Sequence, residues 1–473
     1  MATLDRAIGP FAATLLVIGG IIGSGIFLTT GPMAAALPSP TLLLLAWVLG
    51  SLFAVFGALT YAEMATMFPR SGGVYVFLRE AFGPLTGFLY GWSTLLVVLA
   101  GGTAAVAVGF AEYFSYFFPS LSSTHIVADI PLGFTTVHVA RSQCVAVCAI
   151  AVLGAINYVG VRSGSGTNAV LTIAKITGLV LLPIFALVSP QASPAWTPIV
   201  PVMVNGPSGA ASASVLSAFG VALISVLWAV EGYYFVTYAA GEVRDPKRNL
   251  PRALTFGLLI VMAIYVIVNL AYLYALPMDS LRGVSRVAEA AATSMVGPAG
   301  ATIIALTVLV STLGADAAVI LSASRLFYAM AKDGVLFPSA AAIHPKYHTP
   351  HIAIIGLTVW SSILALSGTY EDLFTYVVFV SVLFSLLGGL ALFRLRIRRP
   401  DAERPYRAWG YPVVPVLFIG GALFMVLNTL VSKPMQSIAG LGILAIGLPV
   451  YWLARHSAER DGGSRRVTTG NDG

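Results

Sequence analysis

The stretch that decides the fold lies in the first apolar segment and reads Ile18-Gly-Gly-Ile-Ile-Gly-Ser-Gly-Ile-Phe27. Four glycines and a serine stand in the middle of a run long enough to cross a bilayer. Each glycine weakens a helix by about 1 kcal/mol relative to alanine, so we expect the helix to break here. Irregular backbone at this depth is tolerated only where protein buries it or where it lines a cavity.

A second interruption, Leu227-Trp-Ala-Val-Glu-Gly-Tyr-Tyr234, places a carboxylate and a glycine in the middle of the sixth apolar segment. A lone Gly-x-Gly would more simply permit close helix packing. Corresponding breaks in the first helix of each five-helix half instead indicate a transporter with inverted repeats. No strand precedes the glycines, which excludes a dinucleotide-binding loop.

The composition agrees with a chain that crosses a membrane many times. Of its 473 residues, 58% are hydrophobic and 10% are charged, and the mean hydropathy is +0.89. A water-soluble protein of this length could not cover so much apolar surface with so few polar side chains. The sequence therefore predicts an all-α polytopic membrane protein.

The apolar runs predict about twelve spans, since about 20 apolar residues of helix cross the hydrocarbon core. The predicted spans lie near 8–35, 40–66, 84–118, 139–158, 165–189, 213–240, 253–276, 299–330, 351–368, 373–393, 411–432 and 435–454. We predict a cytoplasmic N-terminus at 1–7, a first repeat at 8–189, a second repeat at 213–393, two extra helices at 411–454, and a disordered cytoplasmic tail at 455–473.

The basic residues orient the spans. With a cytoplasmic N-terminus, 21 of the 26 Lys and Arg residues fall in inside segments and four fall outside. This asymmetry follows the positive-inside rule and places both termini in the cytoplasm. The net charge of +7 is then explained by the membrane topology, and no nucleic-acid partner is expected. Glu63, Glu80 and Glu112 lie near span ends, where we expect water to solvate them.

A broken helix also offers free backbone groups that can bind a substrate. An opened helix frees N–H groups at the start of its second half and carbonyl oxygens at the end of its first half. Free N–H groups with the positive end of a helix dipole suit a carboxylate, and free carbonyls suit an ammonium group. A zwitterionic α-amino acid matches both.

Five motifs together resemble the amino acid–polyamine–organocation superfamily, in particular bacterial members of its L-type amino acid transporter branch. They are Gly23-Ser-Gly-Ile-Phe27, Phe68-Pro-Arg-Ser-Gly-Gly-Val-Tyr75, Gly241-Glu-Val-Arg-Asp-Pro-Lys-Arg-Asn-Leu-Pro251, Ser324-Arg-Leu-Phe-Tyr-Ala-Met-Ala331 with Lys332-Asp-Gly334, and Arg404-Pro-Tyr-Arg407 with Gly410-Tyr-Pro412. The resemblance implies the fold of the bacterial leucine transporter, with helices 1 and 6 broken.

The resemblance also implies where substrate binds. Backbone N–H groups of Ser24, Gly25 and Ile26, with the Ser24 hydroxyl, would hold the carboxylate. The carbonyls of Ile21, Trp228 and Glu231 would receive the amino group, and Trp228 would be the gate that closes over substrate. The predicted substrate-binding residues are Ile21, Gly23, Ser24, Gly25, Ile26, Trp228, Ala229, Glu231 and Gly232.

Three ionisable residues inside the spans are functional candidates by default. Lys175 lies about 18 Å along the fifth span from Ser163, which is far for snorkelling. The resemblance places this lysine where sodium-coupled relatives hold sodium, so we predict transport without sodium, with Lys175 either as a cation that braces the first break or as a proton-linked group. Asp316 could face Lys175 or the first helix, or make only a packing hydrogen bond.

Glu231 has three interpretations, which the sequence leaves open. It is a neutral hydrogen-bonded acid, a proton carrier, or a partner for cationic side chains. Desolvation disfavours the charged form of a carboxylate, which makes the neutral form reasonable.

The sequence thus predicts a secondary active permease of L-amino acids in the cell membrane, an exchanger or a proton-coupled symporter, and not an enzyme. The alternatives are a polyamine or cationic amino acid exchanger, and an amino-acid-gated channel or sensor without net transport. We expect no cofactor and no metal, because Cys144 and Cys148 lack ligand spacing. Eukaryotic exchangers of the branch join a heavy subunit through a cysteine between spans three and four. Residues 119–138 contain none, so we expect no such linkage.

Overall fold

The computed structural model describes residues 6, 8–70, 72–131, 136–159, 165–189, 215–334, 336, 342–347 and 349–467. The helices are α1 Pro10–Ile21, α2 Gly25–Leu28, α3 Thr30–Ala36, α4 Pro40–Met67, α5 Val74–Phe82, α6 Pro84–Ser93, α7 Ala100–Phe117, α8 Arg141–Val159, α9 Ser165–Val188, α10 Val215–Ala229, α11 Pro246–Ala275, α12 Met278–Leu281, α13 Val287–Lys332, α14 His351–Ser367, α15 Tyr370–Arg398, α16 Val413–Ser432 and α17 Pro434–Val467. A π-helical turn, Thr94–Leu99, joins α6 to α7, and 3₁₀ turns occur at Pro119–Leu121 and Phe235–Glu242. The strands β1 Ile126–Pro131 and β2 Thr136–Ala140 pair antiparallel.

The membrane-spanning character predicted from the sequence is confirmed. Ten helical segments of the described chain are long and apolar enough to cross a membrane, and each falls on a predicted span. Two shorter apolar helices, α10 with 15 residues and α14 with 17, fall on the remaining two predicted positions. The total of twelve spans and the inverted repeat remain predictions.

The surface of the molecule matches a lipid environment. Large apolar side chains are freely exposed on the outside of the bundle, among them Leu187, Ile397 and Val431, which are 79 to 86% exposed. The interior instead buries aromatic side chains completely, as at Trp47 and Tyr265. An apolar exterior of this kind is stable in hydrocarbon, where no water has to be displaced.

Two helix starts near the candidate site follow from local capping. Ser39 precedes α4, and its hydroxyl accepts a hydrogen bond from the Leu42 N–H at 3.3 Å. Thr369 and Asp372 form a reciprocal capping box at the start of α15. Such caps satisfy N–H groups that have no acceptor inside the helix. The box fixes the position of Tyr370, the first residue of α15.

The structure differs from the sequence prediction at several element boundaries. The eighth span begins earlier, as α13, and a residue with φ of 75° at Gly297 kinks this helix close to the predicted start. The last helix runs to Val467, whereas the sequence favours a disordered tail from 455 onward. Extending an existing helix needs no new nucleation, which explains helical structure in this polar segment. Residues 1–5, 7 and 468–473 of the predicted termini lie outside the described residues.

The two interrupted helices approach each other at one side of the bundle. Ile8, just before α1, pairs in parallel with Val243, just after the 3₁₀ turn of the sixth span. The Ile8 N–H donates to the Glu242 carbonyl at 2.9 Å, and the Arg244 N–H donates to the Ile8 carbonyl at 2.8 Å. The beginning of the first span and the end of the sixth therefore lie on the same side of the molecule.

Candidate functional site

The two interrupted helices touch at their breaks. The first span stops being helical after Ile21 and resumes at Gly25, and the sixth stops after Ala229. A Cβ atom at Gly25 would lie 2.6 Å from the Ala229 Cα atom, which no side chain tolerates. At Gly232, where φ is 97°, a Cβ atom would lie 2.8 Å from the Gly20 carbonyl oxygen. The glycines are therefore needed because the two backbones are in contact.

The break in the first span leaves backbone donors free. Among the described residues, the N–H groups of Gly23 and Ser24 donate no backbone hydrogen bond. Those of Gly25 and Ile26 belong to the first turn of α2 and have no acceptor within that helix. Consecutive free N–H groups of this kind attract an anion such as a carboxylate.

Two of the carbonyl oxygens predicted to receive an ammonium group already have one partner. The Ile21 oxygen lies 3.4 Å from the Tyr265 hydroxyl, and the Trp228 oxygen accepts from the Glu231 N–H at 3.1 Å. A carbonyl oxygen has two lone pairs, so each can take a further donor. The Tyr265 hydroxyl also donates to the Ala229 oxygen at 3.1 Å, and it thereby bridges the two breaks.

Lys175, in α9, contacts the first break directly and is only 3% exposed. Its Nζ atom donates to the Ile22 carbonyl at 3.0 Å and to the Gly19 carbonyl at 3.3 Å. In an unbroken helix these two oxygens would accept from the N–H groups of Gly23 and Ile26. The ammonium group thus replaces the two helical donors that the break removes.

Asp316, in α13, is 1% exposed and lies close to the first break. A Cβ atom at Gly314 would lie 3.6 Å from the Lys175 Cε atom, and one at Gly23 would lie 4.0 Å from the Ala315 Cβ atom. No ion pair within 4.0 Å joins the described side chains of Asp316 and Lys175, and the Asp316 Oδ1 atom has no hydrogen-bond partner in the described chain. The structure therefore brings Asp316 near Lys175 without a direct bond.

Trp228 lies at the sixth-span break and is held by α15. Its ring stacks on Phe374, with ring centres 6.0 Å apart and an angle of 18°. Its Nε1 atom donates to the Tyr370 hydroxyl at 2.8 Å, and the same hydroxyl is 3.0 Å from the Ser24 Oγ atom. Trp228 therefore covers the break together with two aromatic residues that we did not predict. The sequence carries no specific signal for Tyr370 and Phe374, because two aromatic residues four positions apart at the start of an apolar span are equally typical of ordinary helix packing.

The Glu231 carboxylate points toward α15. It accepts from the Tyr234 hydroxyl at 2.5 Å and from the Ser381 hydroxyl at 3.0 Å. A small cavity lies beside these groups, and hydroxyl-bearing residues form much of its lining, namely Tyr61, Tyr90, Thr94, Tyr234, Ser381 and Ser385. In the described chain, Glu231 is thus bonded by neutral donors.

Glu63 is completely buried, which contradicts the expectation that water solvates it near the end of its span. Its carboxylate accepts from the Arg396 Nη2 atom at 2.6 Å, the Arg396 Nε atom at 3.0 Å and the Ala408 N–H at 2.7 Å. Arg404 lies 3.3 Å from the same group. Arg396 near the end of α15 and the segment that follows it, with Arg404 and the Ala408 N–H, surround the carboxylate in place of water.

Glu80 lies in α5, outside the spans, and pairs with Arg70 and Arg399. Partial burial alone would raise the pKa of this carboxyl group. The hydrogen bond from Arg399 and the positive charges of both arginines outweigh burial, so the pKa of Glu80 is lowered from its usual value. Nearby, Asp333 at the end of α13 accepts from the Tyr75 hydroxyl at 2.8 Å and pairs with Arg79. These contacts hold α5 against the ends of α13 and α15.

Comparison with known proteins was consistent along the chain. A family model described as "Amino acid permease" matches residues 8–454. The serine/threonine exchanger SteT of Bacillus subtilis is 32% identical over 95% of this chain and 97% of its own length. The human b(0,+)-type amino acid transporter 1 is 29% identical over 96% of this chain and 89% of its own. The human large neutral amino acids transporter small subunit 2 is 29% identical over 95% and 80%.

Proposed function

The chain belongs to the amino acid permease family, within the amino acid–polyamine–organocation superfamily, and from that premise we propose that it exchanges L-amino acids across the cell membrane without sodium. It is a membrane transporter and not an enzyme. The paired breaks support a zwitterionic substrate, because free N–H groups suit its carboxylate and unfilled carbonyl lone pairs suit its ammonium group.

The observation that carries sodium independence is the position of the Lys175 ammonium group. It donates to the carbonyls of Gly19 and Ile22, two oxygens of the break beside which the resemblance places the sodium ion of sodium-coupled relatives. Hard cations such as sodium prefer oxygen ligands, and a fixed positive charge within about 3 Å of those ligands repels them. The lysine then braces the first break permanently.

The mode of transport and the membrane orientation are further parts of the proposal. Exchange is supported by the 32% identity to a serine/threonine exchanger, and proton-coupled uptake is the second candidate. The placement of 21 of 26 basic residues supports twelve spans with cytoplasmic termini. In that orientation Tyr370 and Trp228 close the outer side of the breaks, and Glu231 with its hydroxyl-lined cavity lies on the inner side. The transporter needs no disulfide-linked subunit, since residues 119–138 contain no cysteine.

Amino acids with neutral side chains are the favoured substrates. The hydroxyls of Tyr234 and Ser381 already satisfy Glu231 by hydrogen bonds, so the site holds a neutral substrate without needing a cationic partner for this residue. A cationic substrate is the alternative, because a carboxylate beside the site could pair with it. Competition of Lys and Arg against Leu and Ser in wild type and in Glu231→Gln separates the two, since only the cationic alternative predicts selective loss of Lys and Arg.

The deciding experiment is counterflow in proteoliposomes with a panel of labelled amino acids. We expect uptake that requires internal amino acid, that saturates, and that is equal in sodium and choline media. Uptake that is driven by an imposed pH gradient without internal substrate would indicate proton symport instead of exchange. If no amino acid on either side stimulates uptake, the proposed function is wrong.

A further inference from the structure

Tyr370 forms a junction between the two broken helices. Its hydroxyl accepts a hydrogen bond from the Trp228 Nε1 atom at 2.8 Å and lies 3.0 Å from the Ser24 Oγ atom. Trp228 belongs to the sixth-span break and Ser24 to the first. A single hydroxyl therefore connects the gate to the residue whose N–H and hydroxyl groups are assigned to the substrate carboxylate.

The third span closes this junction from the other side. A Cβ atom at Gly109 would lie 3.0 Å from the Ser24 Cβ atom and 3.3 Å from the Tyr370 Cε2 atom. The Tyr370 ring also packs nearly perpendicular to Phe374, with ring centres 5.3 Å apart. The ring is thus fixed between helices, and the hydroxyl cannot swing away without moving α15.

The chemistry of these groups gives the chain of hydrogen bonds a direction. An indole N–H can only donate, whereas each hydroxyl has one hydrogen and accepts through its lone pairs. Trp228 therefore donates to Tyr370, and the bond between Tyr370 and Ser24 can run either way. A carboxylate only accepts, so a carboxylate at Ser24 draws the Ser24 hydrogen to itself. Tyr370 must then donate to Ser24.

We propose that Tyr370 is a positioning residue that couples the substrate carboxylate at Ser24 to closure of Trp228. The ordered chain runs from the Trp228 N–H through the Tyr370 and Ser24 hydroxyls to the carboxylate. Hydrogen bonds in such a chain polarise and strengthen one another. An anionic acceptor at its end therefore holds the gate shut, and a neutral acceptor holds it less firmly. This inference rests on the proposed function, because it needs an amino acid in the site.

The test compares binding of a transported amino acid with binding of its carboxamide analogue to purified protein. Tyr370→Phe keeps the ring and removes the hydroxyl, so affinity for the amino acid should fall about three- to tenfold, the range for one hydrogen bond. Affinity for the carboxamide should change less than about twofold. Ser24→Ala should behave in the same way, and the double variant should be no weaker than the weaker single variant, because both substitutions cut the same chain.

Two further variants keep the test decisive. Tyr376→Phe is the matched control in the same helix, because the Tyr376 hydroxyl makes no hydrogen bond within the described chain, and its affinities should remain those of wild type. If Tyr370→Phe does not fold, Trp228→Phe removes the N–H donor while keeping a ring on Phe374, and it should show the same selective loss.

The outcomes separate this inference from the proposed function. An unchanged affinity in Tyr370→Phe, an equal loss for amino acid and carboxamide, or additive losses in the double variant would overturn the role of Tyr370 alone. A wild-type protein that binds and exchanges no amino acid would overturn the proposed function itself.

Discussion

Replacing Lys175 by methionine removes the ammonium group and keeps a side chain of similar length. In the wild type, Nζ donates to two buried carbonyls at 3.0 and 3.3 Å. A hydrogen bond from a charged donor contributes about 1.5 to 3 kcal/mol, and the relief of the cation's burial offsets part of the loss. We therefore expect a net destabilisation of the first break by about 2 to 4 kcal/mol. If 2 kcal/mol of this stabilisation is lost from the transition state of transport, the transport rate falls about 30-fold.

The assay is counterflow in proteoliposomes together with thermal unfolding, each in sodium and in choline medium. Wild type should be indifferent to sodium in both. In Lys175→Met the two carbonyls become available to a cation, so sodium should stabilise the variant. If these carbonyls bind sodium with a dissociation constant of about 10 mM, then 100 mM sodium raises the free energy of unfolding of the variant by about 1.4 kcal/mol.

Two controls define the effect. Lys175→Arg keeps the charge and should retain indifference to sodium. Thr177→Ala alters an exposed residue of the same helix, whose hydroxyl bonds only the Ile173 carbonyl among the residues that the structure describes, and should leave transport unchanged. Wild-type transport that rises with sodium, or a Lys175→Met variant with the rate and pH dependence of wild type, would refute the reasoning.

Three other substitutions test separate parts of the structure. Gly25→Ala places a Cβ atom 2.6 Å from the backbone of the facing helix and should abolish counterflow, whereas Gly102→Ala, which meets no atom within 4 Å, should transport normally. Glu63→Gln removes one partner of a buried charge cluster and should cost about 3 to 5 kcal/mol of stability in thermal unfolding. Glu403→Gln breaks an exposed pair and should cost at most about 1 kcal/mol; equal costs would disprove the burial argument. The pKa of Glu80 is lowered in the folded protein, so its ion pairs stabilise the fold above the ordinary carboxyl pKa, and this stability is lost as pH falls through the lowered value. The melting-temperature difference between wild type and Glu80→Gln should therefore shrink on acidification from pH 7. A constant difference would contradict this.

The breaks were predictable because their cause is local. Glycines clustered in an apolar run weaken a helix wherever it packs, and Gly25 and Gly232 lie where the structure brings two backbones together. The resemblance placed Lys175 at the first break, where its Nζ atom donates to two carbonyls; the sequence alone required only that a lysine deep in a span find oxygen atoms. Such requirements belong to the residue itself and are visible without its neighbours.

The partners of ordinary polar side chains were not predictable in this way. Tyr265 and Tyr370 each contribute a single hydroxyl group to an apolar helix, and such a group is stable in many environments. Their roles depend on which distant helix faces them. Glu63 was misjudged for the same reason, because its position near a span end suggested water, whereas the folded segment at Ala408 excludes it.

The burial of Glu63 has a consequence for how the protein is made. Arg396 follows Glu63 by 333 residues, so the second span enters the bilayer long before its counterion is synthesised. At about 5 to 20 residues per second, the interval is roughly 20 to 70 s. During that time an ionised carboxylate is stable only at the headgroup level, where water and lipid can solvate it. Arrival of the arginines then supplies the counterions, and a chain truncated before Arg396 keeps the Glu63 carboxylate without them.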